Sequence, residues 1–293
     1  GAGPAHPDAL QTPMRCAKVM LTLTLAPRKN KAMPETTPSA EIVTIPCRKD
    51  NYAYLLHDKA TGQTAVIDVP EAAPIAAALE AKGWVLSHVL ITHHHYDHVD
   101  GLADLLDGRK GVQVLGAAKD AHRLPALDRA LSEGESVTIG ELTGHVLDVS
   151  GHTIGHIAFH FPQARAVFTA DSLMALGCGR LFEGTPAQMW ESLSKLAKLP
   201  PETLVCSGHE YTSANANFAQ SIEPDNSELK SRSEMITQHR AQGLPTVPSL
   251  LSVELKTNPF LRAHLPEVKA AIGMQDASDV AVFTEIRSRK DHF

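Results

Sequence analysis

The stretch Thr92-His93-His94-His95-Tyr96-Asp97-His98 constrains the chain most, because five of its seven positions carry metal-binding side chains. It follows an apolar run over 85–91 and precedes a more helical pattern over 99–106. It therefore reads as the turn leaving a buried strand, where α/β folds commonly place their chemistry. Imidazole and carboxylate both offer lone pairs to a hard or borderline cation, so metal ligation is the natural use of such a run. The bland alternative is a chance His-rich turn, and the later strand ends decide between the two.

At 293 residues the chain can hold one large domain with an appendage, or two modest domains. Its 43% hydrophobic and 20% charged content suits a globular protein with a substantial core. A net charge of -6 argues against a nucleic-acid partner. No apolar run approaches the roughly 20 residues of a membrane span. The 16 histidines tilt the reading toward a metalloprotein. Cys16, Cys47, Cys178 and Cys206 are scattered, without a C-x-x-C pair, which points to a reducing compartment rather than a disulfide framework.

Residues 1–40 are rich in Pro, Ala and Thr and carry no acid between Asp8 and Glu35. They read as a disordered N-terminal extension, a leader or a tag. A cytoplasmic location is expected, or a mitochondrial one if 1–32 is a targeting segment. From Glu41 the pattern is regular: strands over 42–45, 52–56 and 64–68, a helix over 71–82 stopped by Gly83, and a strand over 85–91 that completes a β-α-β unit. Further strands are expected over 112–115, 137–139, 145–149, 157–161, 166–170 and 204–207, with a short helix over 117–124. Thr185-Pro186-Ala187-Gln188 has the form of a capping box opening a helix to Leu199. Beyond it, helices are expected over 211–220 and 226–242, from Leu250, and over 279–287. The expectation is a mixed α/β domain over 41–209 followed by a mainly helical segment over 210–293.

Three later strands each end on one more ligand-type residue: His152, Asp171 and His209. Singly, each has an ordinary reading, a hydrogen-bonded His in a Gly-flanked turn or an N-cap Asp. Together with His93, His95, Asp97 and His98 they make seven. A tetrahedral zinc uses at most four ligands, so two ions are the economical reading. His93 and His95, two apart in extended chain, can share one ion, and Asp97 and His98 suit the second. Asp171 can bridge ions about 3.5–4 Å apart. Asp68, ending its strand, either orients a ligand His or caps the strand. His94, His145, His156 and His160 are read as structural.

At this point a resemblance enters. Thr-His-x-His-x-Asp-His at 92–98 resembles the hallmark of the metallo-β-lactamase superfamily. Several other stretches resemble its glyoxalase II (hydroxyacylglutathione hydrolase) branch. They are Gly151-His152-Thr153-Ile154-Gly155-His156, Phe168-Thr169-Ala170-Asp171-Ser172-Leu173, Gly177-Cys178-Gly179-Arg180-Leu181-Phe182-Glu183-Gly184 and Gly208-His209-Glu210-Tyr211-Thr212. Pro245-Thr246-Val247-Pro248-Ser249, Asn258-Pro259-Phe260 and Arg287-Ser288-Arg289-Lys290-Asp291 belong with them, so the resemblance covers about 41–293.

The resemblance implies an αββα sandwich with the metals at one edge and a helical C-terminal domain over the site. It implies that His93, His95 and His152 hold one divalent ion, that Asp97, His98 and His209 hold the other, and that Asp171 bridges. Zinc is the expected metal, with iron or manganese as alternatives. The implied reaction is hydrolysis of S-(2-hydroxyacyl)glutathione thioesters, S-D-lactoylglutathione above all, as the second step of methylglyoxal detoxification. A metal-bound hydroxide held by Asp171 and Asp97 would be the nucleophile, in a monomer with no nucleic-acid or membrane partner. Arg180, Phe182, Tyr211, Arg287 and Lys290 would hold the glutathione part.

Two positions depart from the family's usual residues. Arg180 stands where Lys is frequent, which keeps the charge but changes its geometry. Phe182 stands where Tyr is frequent, which removes a hydroxyl. Two other readings compete: a mononuclear iron glutathione-persulfide dioxygenase, whose family generally lacks the Arg-x-x-Lys-bearing C-terminal domain, and a non-catalytic metal-binding module.

Overall fold

The structure, a computed structural model, describes residues 21–23 and 40–293. The expected disordered extension over 1–40 therefore lies largely outside the described residues. Within it, Leu21–Leu23 forms a strand, β1, antiparallel to β2 (Ala40–Cys47). The first sheet continues through β3 (Asn51–Asp58) and β4 (Gln63–Ile67), crosses over helix α1 (Ala72–Lys82), and resumes in β5 (Val85–Leu90). After the short helices α2 (Tyr96–Val99) and α3 (Leu102–Leu106), β6 (Gln113–Ala117) and β7 (Arg129–Leu131) finish it. Pairing is antiparallel from β1 to β4 and parallel from β4 to β7.

The second sheet is built from β8 (Ser136–Ile139), β9 (Leu142–Asp148), β10 (Ile157–Phe161) and β11 (Ala166–Ala170). A small hairpin of β12 (Leu173–Met174) and β13 (Gly177–Cys178) follows, then helix α4 (Pro186–Leu196) and β14 (Leu204–Ser207). The remainder is α5 (Thr212–Ile222), α6 (Ser227–Ala241), the two-residue β15 (Ser249–Leu250), α7 (Leu251–Thr257), α8 (Pro266–Ala271) and α9 (Asp279–Asp291). The sheet order is β15-β14-β11-β10-β9-β8, so the C-terminal segment contributes an edge strand as well as helices.

Strand alternation explains the layers. On β3, Tyr52, Tyr54 and Leu56 face one core, and Ala53 and Leu55 face another. The first core is shared with Phe159, Phe161 and Phe168 of the second sheet and lies between the sheets. The second is closed by Ile75 and Leu79 of α1 and Leu102 and Leu105 of α3. On the far side, Val167 and Val205 meet Met189 and Leu193 of α4 and Phe283 and Ile286 of α9. The outcome is the expected αββα order. Because both faces of the inner strands are covered, β3, β10, β11 and β14 are buried at every residue, and they read in sequence as short apolar runs. The capping box is present: Thr185 Oγ1 accepts from Gln188 N at 3.2 Å, and Gln188 Oε1 from Thr185 N at 2.8 Å.

The expected helix over 117–124 is only a 3-10 turn at Ala118–Asp120. Pro125 disfavours helical backbone at Leu124, which stops propagation. The last helix, conversely, runs beyond the expected 287 to Asp291 and so carries both Arg287 and Lys290. Among the described residues, no helix is long and apolar enough to cross a membrane.

Candidate metal centre

Five chain segments converge just past their strands at one edge of the sandwich. The loop after β5 brings His93, His95, Asp97 and His98; the loops after β9, β11 and β14 bring His152, Asp171 and His209. The segment after β4 brings Asp68. Backbone bonds stitch the sheets together here: Ile157 N to Thr92 O at 2.9 Å, and Tyr52 N to Gly208 O at 2.8 Å. All seven expected ligands are thus in one place. Their donor atoms form two sets, His93/His95/His152 and Asp97/His98/His209, each within 4.8 Å. Asp171 stands between them. Its Oδ2 lies 3.3 Å from His98 Nε2, 3.2 Å from His209 Nε2, 3.5 Å from His152 Nε2 and 3.9 Å from His93 Nε2.

A third grouping, Asp68/His93/His98, is equally tight but is not open to an ion. Both oxygens of Asp68 are already engaged: Oδ1 accepts from Thr92 N at 2.8 Å, while Oδ2 accepts from Thr92 Oγ1 and contacts His98 Nδ1, each at 2.7 Å. Asp68 thereby turns Nε2 of His98 toward Asp171, the orienting role that a carboxylate takes behind a ligand His.

The same arrangement recurs around the site. Nδ1 of His152 meets the Arg180 carbonyl at 2.7 Å, and Nδ1 of His209 meets Asp50 Oδ1 at 3.0 Å. Asn51 donates to Asp97 Oδ2 at 3.0 Å. His156 stacks on His93 with ring centroids 4.5 Å apart, and its Nε2 accepts from Asp171 N at 3.3 Å. Sequence reasoning placed Asp68 as a possible orienter and His156 as structural. It did not pick out Asp50, the last residue of an ordinary hairpin turn, or Asn51, which opens β3, nor the Arg180 carbonyl, which has no side-chain signature.

The donor set fits a cation on two counts. Nε2 of His93, Nε2 of His98 and Oδ1 of Asp171 are buried without a hydrogen-bond partner, and unpaired buried polar atoms are costly unless something else binds them. Burial, reinforced by neighbouring imidazoles, also keeps His93 well below the usual His range, His95 down at about 4 and His152 lowered, so these rings stand neutral as ligands must. At His98 and His209 burial opposes charge, but the Asp171 carboxylate outweighs it and raises both. Those same two rings hold Asp171 well below the carboxylate range against its own burial.

Close approach to Asp171 demands glycine at two places. A Cβ on Gly179 would lie 1.9 Å from the Asp171 carbonyl oxygen, and one on Gly208 would lie 2.4 Å from Asp171 Oδ1. The loop after β13 is therefore wedged directly against the centre.

A cavity of about 590 Å³ opens over this centre. His95, Asp97, His152, Asp171 and His209 form part of its lining, and Arg180, Phe182, Tyr211, Arg287 and Lys290 form another part. Phe182 is 61% exposed and makes T-shaped contacts with His95 and His152; Tyr211 stacks on His209 at 4.6 Å. Asp291 joins two of the cations, 3.6 Å from Arg180 and 2.8 Å from Arg287. Lys290 Nζ lies 5.4 Å from the Phe218 ring centroid and 5.5 Å from that of Phe293, and burial, then nearby Arg287, lowers its pKa. Arg289, in the same basic run, instead pairs with Glu285 and is not part of the cavity lining.

Comparison with known proteins agrees with this arrangement. Residues 49–209 match the family model described as metallo-beta-lactamase superfamily, and 210–293 match the one described as hydroxyacylglutathione hydrolase C-terminus. A hydroxyacylglutathione hydrolase of Jannaschia sp. (strain CCS1) is 65% identical over 253 residues, covering 86% of this chain and 98% of the relative. The crystal structure of BLEG-1 B3 metallo-beta-lactamase superposes with a TM-score of 0.58 at 21% identity, over 75% of this chain and 99% of that one. The crystal structure of TTHA1623 in a di-iron-bound form superposes with a TM-score of 0.55 at 25% identity, over 74% and 98%. Neither the persulfide dioxygenase reading nor the non-catalytic one is favoured by these matches. The chain belongs to the hydroxyacylglutathione hydrolase family of the metallo-beta-lactamase superfamily.

Proposed function

We propose that this protein hydrolyses S-(2-hydroxyacyl)glutathione thioesters, S-D-lactoylglutathione among them, at a centre of two divalent ions. One observation carries the reading: members of the two His/Asp groups, and Asp171 beside them, line the same cavity as Arg180, Arg287 and Lys290. On a protein of net charge -6, three cations lining one cavity suit a ligand with carboxylates, and glutathione carries two. The family membership supports the same reaction.

In this reading His93, His95 and His152 would hold one ion, Asp97, His98 and His209 would hold the other, and Asp171 would serve both. Ions bound there supply Lewis acidity toward a carbonyl oxygen and bring the pKa of a water down toward about 7. The chain's own residues do the rest. Asp68, Asp50 and the Arg180 carbonyl fix the rings of His98, His209 and His152. Phe182 and Tyr211 flank the centre with apolar faces against which the thioester packs. The departing thiolate has a conjugate acid of pKa about 8.5, so no general acid is required of the protein. Zinc is the proposed metal, with iron or manganese also matching imidazole and carboxylate ligands.

The test is direct. Metal-loaded protein should hydrolyse S-D-lactoylglutathione, and Asp171→Ala should lose more than the roughly 10- to 100-fold that removing a residue behind a metal ligand costs. Absence of hydrolysis by the metal-loaded wild type would overturn the reading.

A further inference from the structure

We propose that Glu254 and Asn258, which lie outside the metal centre and its cavity lining, are positioning residues that set the Arg287 guanidinium for thioester binding. The proposal rests on Arg287 being a binding group, as above. Both residues are fully buried, and none of their hydrogen bonds goes to a proposed metal ligand. The Asn258-Pro259-Phe260 stretch is singled out by sequence, yet the metal centre leaves it without a task.

Asn258 Nδ2 donates to the carbonyls of Met174 and Gly177, each at 3.0 Å. Glu254 Oε2 accepts from Leu176 N at 2.9 Å and from Asn258 Nδ2 at 3.2 Å. Together they grip both ends and the middle of the turn between β12 and β13. That turn needs gripping: Leu176 has φ of 56°, a left-handed conformation unfavourable for any residue but glycine. The other oxygen of Glu254 accepts from Ser249 Oγ at 2.6 Å and pairs with buried Arg232, so its charge is compensated.

Immediately past the turn, the Cys178 carbonyl accepts from Arg287 Nη1 at 2.9 Å. On its other side Asn258 Oδ1 accepts from Phe260 N at 3.0 Å, and the Phe260 ring lies 5.0 Å from the Arg287 guanidinium carbon. One asparagine thus places both the carbonyl and the ring that hold Arg287. A guanidinium fixed beforehand loses less freedom when an anionic ligand arrives.

A purely structural network would lower stability and depress all activity; a positioning role makes a narrower demand. In the metal-loaded enzyme, Asn258→Ser keeps an oxygen to cap Phe260 N but loses reach to the Met174 and Gly177 carbonyls. It should raise KM for S-D-lactoylglutathione about tenfold with kcat within about twofold. Ser249→Ala, a milder change, should raise KM about two- to threefold. In an Arg287→Ala background either substitution should change KM by less than about twofold, because the group it acts through is gone. The proposal is overturned if the KM rise persists undiminished in that background, or if neither substitution moves KM. Should Asn258→Ser fail to fold, Ser249→Ala in both backgrounds decides by the same criterion. Failure of the thioesterase reading itself shows separately, as a wild type that does not hydrolyse the thioester.

Discussion

Asp68→Asn is nearly isosteric, and the geometry says it will be severe. Three groups meet the two carboxylate oxygens: Thr92 N at Oδ1, and Thr92 Oγ1 and His98 Nδ1 at Oδ2. An amide offers one acceptor oxygen. If the oxygen replaces Oδ2, the NH2 opposes the Thr92 amide inside a site where Asp68 and Thr92 are both buried. If it replaces Oδ1, the NH2 faces His98 Nδ1 and forces that nitrogen to accept. The proton then sits on Nε2, the atom proposed to ligate, and the site would lose that ligand. The first orientation leaves a buried donor opposed, a loss of about 1–3 kcal/mol. The second removes support from a ligand, typically a 10- to 100-fold loss of metal affinity, or about 1.4–2.7 kcal/mol. Competition with a chelator of known affinity, read by metal analysis of the recovered protein, measures this directly. Asp68→Asn should lose metal at roughly 10- to 100-fold lower chelator concentration, and activity should track occupancy. Unchanged affinity together with unchanged activity would refute the orienting role.

Two further predictions concern the neighbours Phe182 and Glu183. Phe182→Tyr restores a hydroxyl on an exposed ring beside the centre, and should lower KM for S-D-lactoylglutathione about 2- to 10-fold with kcat unchanged, as read from steady-state kinetics. Glu183 is held down at about 2, first by its bond to Arg123, then against opposing burial by the Ile154 amide. Its folded pKa is depressed, so its contribution to stability is present above about pH 4.5 and is lost as pH falls toward about 2. Glu183→Gln should remove that part of the acid sensitivity. With the side chain 26% exposed, the effect is no more than about 1 kcal/mol, measurable as a smaller gap between denaturation midpoints at neutral and acid pH.

Much of the architecture was legible because it follows from local rules. Strands buried on both faces give short apolar runs, and 157–161, 166–170 and 204–207 have the expected bounds. The α4 start was legible because a capping box is a four-residue pattern. All seven expected ligands converge because each follows a strand that ends at the same edge. What was not legible is what depends on distant pairs. Asp50 meets His209 across 159 positions, and His152 meets the Arg180 carbonyl across 28; no local period encodes either. The three-residue β7 and six-residue α8 are too short for periodicity to register. Arg287 and Arg289 are two apart in one basic run, yet the helical turn sends the first into the cavity and the second to Glu285.

The central claim is that one buried carboxylate, Asp171, is shared by two separate sets of ligands. Metal stoichiometry and position, read together by anomalous diffraction from metal-loaded crystals, decide whether it is. Two ions per chain are expected, one among His93, His95 and His152, one among Asp97, His98 and His209, with Asp171 touching both. A single ion in saturated crystals, or two ions with Asp171 turned away from either, would contradict it.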